Sequence, residues 1–434
     1  MSTTTCFLPV LIAGVLLLLL AHGCSSRLAT GDREALVAIR KGWGNPRSLA
    51  TWDPAVAADP CSWYGVTCSD TSNGEGESVV TGLSLGSMSF SGTVPAAVCD
   101  LKNLTQLDIS FNNLSGVFPA VLYGCSQLRY LDLSHNSFDG ALPDDISRLP
   151  SMLEHLDLSS NNFDGTIPAA VAAFPVLKHL LLNNNRFTGT YPAVEISKLT
   201  GLESLGLAYN AFAPGPMPQA FAKLTKLTSL WMPNMNLTGE IPEAFSSLTE
   251  LTDIDLSFNE LTGTIPAWVW QHKKLKSLQM YRSGLNGKLP RNITAVNLVE
   301  IHMSSNQLKG EMPDDFGKLN KLTFLSISNN QLTGAIPISI GLLPKLIYID
   351  LSNNNLSGEL PPELGMHSPI LHIDVSNNSL SGPLPRMLCA NGLLSQLVAF
   401  HNNFSGTLPM NLGDCVQLKT LLLYNNSFSG EFPV

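Results

Sequence analysis

Charge is scarce in this sequence. Lys, Arg, Asp and Glu together make up 14% of its 434 residues, against a hydrophobic share of 44%. The little charge present sums to −9, and no basic cluster offsets it. That balance excludes a nucleic-acid partner and favours a basic or neutral ligand. Reactive constellations are missing as well: there is no phosphate-cradling GxGxxG or P-loop, no HExxH and no GxSxG elbow. The histidines scatter over the chain, and no CxxC or nearby His pair accompanies a cysteine, so neither an enzyme nor a zinc site is expected, and no cofactor. Long apolar runs are also absent after Ala21. The one run, Phe7 to Ala21, is about 15 residues, short of the roughly 20 that span a bilayer as a helix. Followed by the small residues Gly23, Ser25 and Ser26, it reads as a secretory signal peptide over residues 1–26, and the processed chain is expected to be soluble.

What the sequence has in abundance is one repeated phrase. Leucine, two residues, leucine, one residue, leucine, two residues, asparagine, then a hydrophobic residue and glycine recurs fifteen times, as in Leu128 to Gly140 and Leu346 to Gly358. The period of about 24 residues is that of leucine-rich repeats. One such coil cannot bury its leucines without a neighbour above and below, so the expected fold is a solenoid rather than several globular domains. Strand alternation sends the consensus leucines inward and the intervening residues onto a concave parallel sheet. The class is therefore α/β, a curved right-handed superhelix. Twelve of the fifteen copies end the strand on Asn; Met88, Met235 and Ser283 replace it. That amide is expected to pair with backbone groups of the neighbouring coil. The Leu-x-Gly-x-Ile-Pro continuation, as in Leu261 to Pro266, suits a second short strand at a sheet edge, where proline's missing N–H is tolerated.

Residues 27–78 read as a cap and 79–434 as repeats. Asp32 to Trp43 is expected to be a helix with Ala35, Leu36, Ile39 and Trp43 on one face. An aromatic block from Trp52 to Cys68 follows, and Val80 opens the first coil. Among the eight cysteines, Cys99 and Cys389 each precede a consensus leucine by five residues, and Cys125 and Cys415 each precede one by three. Each pair therefore occupies the same two positions of consecutive coils. Stacked strands about 4.8 Å apart bring such positions within disulfide geometry, with buried free thiols as the alternative. Cys61 and Cys68 make the third pair, and an even mature count implies removal of Cys6 and Cys24 with the leader.

These motifs resemble a known family. The Leu-x-Gly-x-Ile-Pro continuation is similar to plant-type leucine-rich repeats, and Trp52 to Cys68 to the N-terminal cap of plant receptor kinases. Cys99-Asp100-Leu101-Lys102-Asn103-Leu104, with Tyr123-Gly124-Cys125, resembles the HAESA-like branch. The resemblance covers Asp32 to the end. It implies an extracellular domain that binds a secreted peptide along its inner face and recruits a co-receptor leucine-rich-repeat kinase. Two departures stand against it. The sequence stops inside a repeat at Val434, and Val398-Ala399-Phe400 and Leu422-Leu423-Tyr424 stand on the late strands, where that branch often carries an Arg-x-Arg pair. A soluble wall-located inhibitor resembling polygalacturonase-inhibiting proteins, or a truncated decoy, is the alternative.

Candidate site residues follow from breaks in the consensus. Repeats five to nine replace the usual Asp-x-Ser by Leu181, Tyr209, Trp231, Asn234, Phe258, Gln279, Tyr281 and Arg282. Exposed aromatics with an arginine have the composition of a binding hot spot. Asp108, Asp132 and Asp157 stack as an acidic ladder in repeats two to four, and Asp255, Asp350 and Asp374 repeat the theme. This ladder reads as a solvated consensus position, with a cation or basic-ligand site as the alternative. Sequons stand at Asn103, Asn113, Asn236, Asn292, Asn355, Asn377, Asn403 and Asn425, the pattern of a glycosylated secreted protein. Asn377 and Asn425 fall on the concave side, where a glycan would block a ligand.

Overall fold

A computed structural model of the chain describes residues 27–28, 30–57, 59–70 and 77–432. The expected signal peptide, Cys6 and Cys24 lie outside the described residues. From Glu77 onward the chain winds through fifteen coils, each contributing one short strand to a continuous parallel sheet. Registers repeat without a slip: Asp108 faces Asp132, which faces Asp157, and Leu181 faces Gly206, which faces Trp231. Coils are numbered here by the residue that ends each strand, from Met88 (coil 1) to Asn426 (coil 15).

The repeat pattern explains the coil. In coil 11, Leu322, Leu325, Ile327, Leu332, Ile336 and Ile340 all point inward and are almost fully buried. Each such side chain contributes about 1.5–3 kcal/mol by leaving water, but only because the coils on both sides close the core. After the strand Phe324–Ser326 the chain turns at Asn329 and forms a second strand, Gln331–Gly334. Pro337 then introduces a four-residue helix, Ile338–Gly341. Most other connections are 3-10 turns, and many start after a proline, such as Pro218, Pro242 and Pro313. Five residues between each of these prolines and the buried leucine that ends the turn, Leu224, Leu248 and Leu319, leave no room for a longer helix. Helix is therefore sparse, and the one long helix among the described residues belongs to the cap.

The residue before the ladder position has a positive φ in all fifteen coils, and none of the fifteen is glycine. A left-handed L-residue costs roughly 1–2 kcal/mol, least for asparagine, which fills six of these positions. The ladder residue holds the turn in place. Asn259 donates Nδ2–H to Met232 O of the preceding coil (2.9 Å) and to Leu256 O of its own (2.9 Å). Its Oδ1 accepts from Met235 N (3.1 Å) and Leu237 N (3.0 Å). Where asparagine is replaced, the substitution is compensated in part. Ser283 Oγ–H reaches Leu256 O at 2.8 Å, and next to Met235 the adjacent Asn236 donates to Phe212 O at 2.8 Å.

The cap helix spans Thr30–Gly42, two residues earlier than expected, so Asp32 sits in its first turn rather than at its start. Ala35, Leu36, Ile39 and Trp43 are buried, and Asp32 is buried too, its Oδ2 accepting the Val80 N–H at 2.7 Å. Trp52 and Trp63 are almost wholly enclosed, and each indole N–H donates to a backbone carbonyl, Tyr64 O and Ala57 O respectively. The strand Val66–Asp70 runs antiparallel to Glu77–Ser84, the first solenoid strand, and closes the edge of the sheet. Cys61 and Cys68 are disulfide-bonded within this cap, and two further disulfides, Cys99–Cys125 and Cys389–Cys415, join consecutive coils with Cα–Cα distances of 4.6 and 5.4 Å.

Candidate ligand-binding face

On the concave sheet, the breaks in the repeat consensus gather into two clusters. In coils 6 and 7, Tyr209 and Trp231 are half-buried with ring centroids 5.9 Å apart. Gly206, facing Leu181 on one side and Trp231 on the other, leaves a notch in that row, against which half-buried Leu181 leans. A Cβ at Gly206 would come within 2.4 Å of Asn183 Oδ1, so the notch is a packing requirement as well as a feature of the surface. In coils 8 and 9, exposed Phe258 meets the Tyr281 ring edge-on at 4.9 Å, and the Arg282 guanidinium lies 5.6 Å above the Phe258 ring. Tyr209, Phe258, Asn234 and Arg282 all occupy the left-handed turn position, which lifts their side chains at the rim of the sheet. Asn234 and Arg282 are exposed; Gln279 is half-buried and faces Asp255 and His302 in register.

The second cluster does not end at coil 9. Tyr281 stacks on His302 at 4.2 Å, and His302 meets Phe324 edge-on at 5.6 Å. Phe324 stacks on Tyr348 at 4.4 Å, and Tyr348 on His372 at 4.3 Å. Gln396 closes the series, its Oε1 2.8 Å from His372 Nδ1. From Phe258 to Phe324 each partner sits one or two positions earlier in its strand than the last, so this column crosses the sheet diagonally before running straight. Sequence reading missed His302, Phe324, Tyr348 and His372. Their signal was a ring just before a consensus aliphatic at Phe324, Tyr348 and His372, and at His302 an imidazole in place of the consensus aspartate; Tyr348 and His372 lie beside an intact Asp-x-Ser, which hides them.

Burial sets the electrostatics of this face. It holds the Tyr209 and Tyr281 hydroxyls above their ordinary range, with Asp255 adding to both. Tyr348 is pushed up to about 12 by burial, then by Asp350 and Asp374. Burial lowers His302 despite the opposing charges of Asp350 and Asp255. The sequons divide by position. Asn113, Asn355 and Asn403 open second strands and are exposed, as are Asn103, Asn236 and Asn292. On the concave side, Asn377 donates to Asn353 Oδ1 at 2.8 Å, and exposed Asn425 lies 2.9 Å from His401 Nε2.

A stacked parallel sheet, a stapled aromatic cap and a concave face carrying aromatic clusters define a leucine-rich-repeat protein. Comparison agrees: the leucine-rich repeat region family matches residues 120–349, more than half the chain, and the leucine rich repeat N-terminal domain matches residues 29–69. The chain belongs to the leucine-rich-repeat family, and its fold is that of plant receptor kinase ectodomains. It is similar to the ectodomain of the Arabidopsis receptor kinase HAESA solved with an IDA peptide hormone lengthened at its N-terminus, at 36% identity and TM-score 0.88 over 93% of this chain and 66% of that one. Against HAESA with IDA and the co-receptor SERK1, identity is 35% and the TM-score 0.87, covering 93% of this chain and 67% of the other. Polygalacturonase inhibitor 1 of Arabidopsis thaliana is 41% identical over 76 residues, 18% of this chain and 22% of that relative, so the match spans about a fifth of the relative's length. No helix among the described residues is long and apolar enough to cross a membrane.

Proposed function

We propose that this chain is the extracellular, peptide-sensing part of a plant receptor-like kinase of the HAESA-like branch. On this reading it faces the outside of the plasma membrane, its kinase is carried outside these 434 residues, and a co-receptor leucine-rich-repeat kinase joins the bound complex. A secreted peptide lies extended across coils 5 to 9, against Tyr209, Trp231, Phe258, Tyr281 and Arg282. The observation that carries the reading is the pair of aromatic clusters on the concave sheet of coils 6 to 9, with the Arg282 guanidinium over one of them. Coils about 4.8 Å apart offer successive contacts to an extended chain, large aromatic faces exclude water at small entropic cost, and Arg282 can pair with a carboxylate or sulfate. Likeness to peptide-bound receptor ectodomains supports it.

The test is calorimetric titration of the secreted protein with synthetic IDA peptide and a panel of other secreted plant peptides. A bound peptide should lose about 1–4 kcal/mol of affinity on Trp231→Ala or Tyr209→Ala, the range of interface hot spots. Equal affinities for wild type and both variants would move the site elsewhere. The second reading, an apoplastic inhibitor, draws on the polygalacturonase inhibitor match. Inhibition of a fungal polygalacturonase, with no peptide bound, would favour it.

A further inference from the structure

We infer that Asp132, His155 and Asp157 form a binding site for a divalent transition-metal ion on the concave face of coils 3 and 4. This site is separate from the aromatic clusters and does not depend on the peptide reading. Strand alternation puts His155 and Asp157, two residues apart, on the same face of one strand, and the parallel register sets Asp132 directly beside Asp157. One imidazole nitrogen and one carboxylate oxygen from each aspartate lie within 4.8 Å of one another. Metal bonds of about 2.1 Å hold such donors roughly 3–4 Å apart, so small side-chain rotations close the set.

Three features make this more than a run of acidic residues. First, the His155 Nε2 is sealed from solvent and has no hydrogen-bond partner among the described residues, which leaves a buried imidazole nitrogen uncompensated. Second, the donors are held in place: Tyr130 stacks flat on the His155 ring at 4.1 Å with His179 beyond it, and Ser134 N and Ser159 N donate to one oxygen of Asp132 and of Asp157 respectively at 2.8 Å. Third, neither aspartate has an ion-pair partner among the described residues, although Asp108 adds a further carboxylate one coil away. A dication supplies the missing charge. Two carboxylates with an imidazole suit zinc or a neighbouring first-row metal, whereas calcium and magnesium prefer all-oxygen sets. His179 and Asp108 stand one coil away on either side, outside this set of three.

Zinc chloride is the probe, titrated calorimetrically into tag-free secreted protein stripped with chelator and dialysed. The expected result is one zinc per chain, weakened about tenfold or more by His155→Gln and by Asp157→Asn, and unchanged by His367→Gln, an exposed histidine elsewhere. Cobalt(II) should give a ligand-field absorption band that His155→Gln abolishes. Circular dichroism and the melting temperature, both taken in chelator, establish that each variant is folded. No zinc binding at 100-micromolar concentrations (about that order), or binding that folded His155→Gln and Asp157→Asn retain in full, overturns the site.

Discussion

Asp32 and Val80 are 48 residues apart in sequence, yet the Asp32 carboxylate accepts the Val80 backbone N–H at 2.7 Å in a buried setting. This bond ties the cap helix to the first solenoid strand, whose outer edge the strand Val66–Asp70 covers. Asp32→Ala leaves a buried N–H unpaired and should cost about 1–3 kcal/mol. It should also raise hydrogen exchange in residues 77–84 more than in the coils beyond, because a solenoid loosens from its ends. Uniform exchange along the chain would deny the bond that local role.

The ladder predicts a graded response. Asn259→Ala removes donors to two carbonyls and the acceptor for two N–H groups, and should cost about 2–4 kcal/mol. Ser283→Ala removes one good bond from the equivalent position of the next coil and should cost about 1 kcal/mol. Urea unfolding of both variants checks the order. Equal losses would mean that packing, not the amide, holds the turn.

Replacing Cys99 and Cys125 together by serine should lower stability by about 2–4 kcal/mol, mainly by freeing the unfolded chain. Peptide mapping without reductant should recover the 99–125 and 389–415 links intact. Recovery of all four residues as free thiols would remove the basis of the prediction.

His302 gives the concave face a pH dependence. Burial between Tyr281 and Phe324 lowers its folded pKa below the value of about 6.5 expected for the unfolded chain. The neutral ring is therefore the form that folding favours. Its contribution is fully present above about pH 6.5 and is lost as pH falls through the lowered folded value. Imidazole proton shifts should titrate with a midpoint below 6.5, and His302→Phe should unfold at a urea concentration that falls less between pH 7 and pH 5 than that of wild type. A midpoint at or above 6.5 would contradict the burial argument.

The sequence by itself determined the solenoid, since a 24-residue period of inward leucines has one way to bury them: stacking coil on coil. It also placed Cys99 and Cys125, and Cys389 and Cys415, at matching positions of consecutive coils, and singled out Tyr209, Trp231, Phe258, Tyr281 and Arg282 as departures from a polar consensus. Tertiary structure decided which of these meet. Tyr281 and His302 stand at different positions of their repeats, yet Gln279 faces His302 in register, so Tyr281 is its diagonal neighbour and the two rings stack at 4.2 Å. His155 reads as one more scattered histidine until the parallel register sets it beside Asp132 and Asp157. Periodicity reports which face a residue occupies. Only the stacking of successive coils fixes what lies beside it on that face.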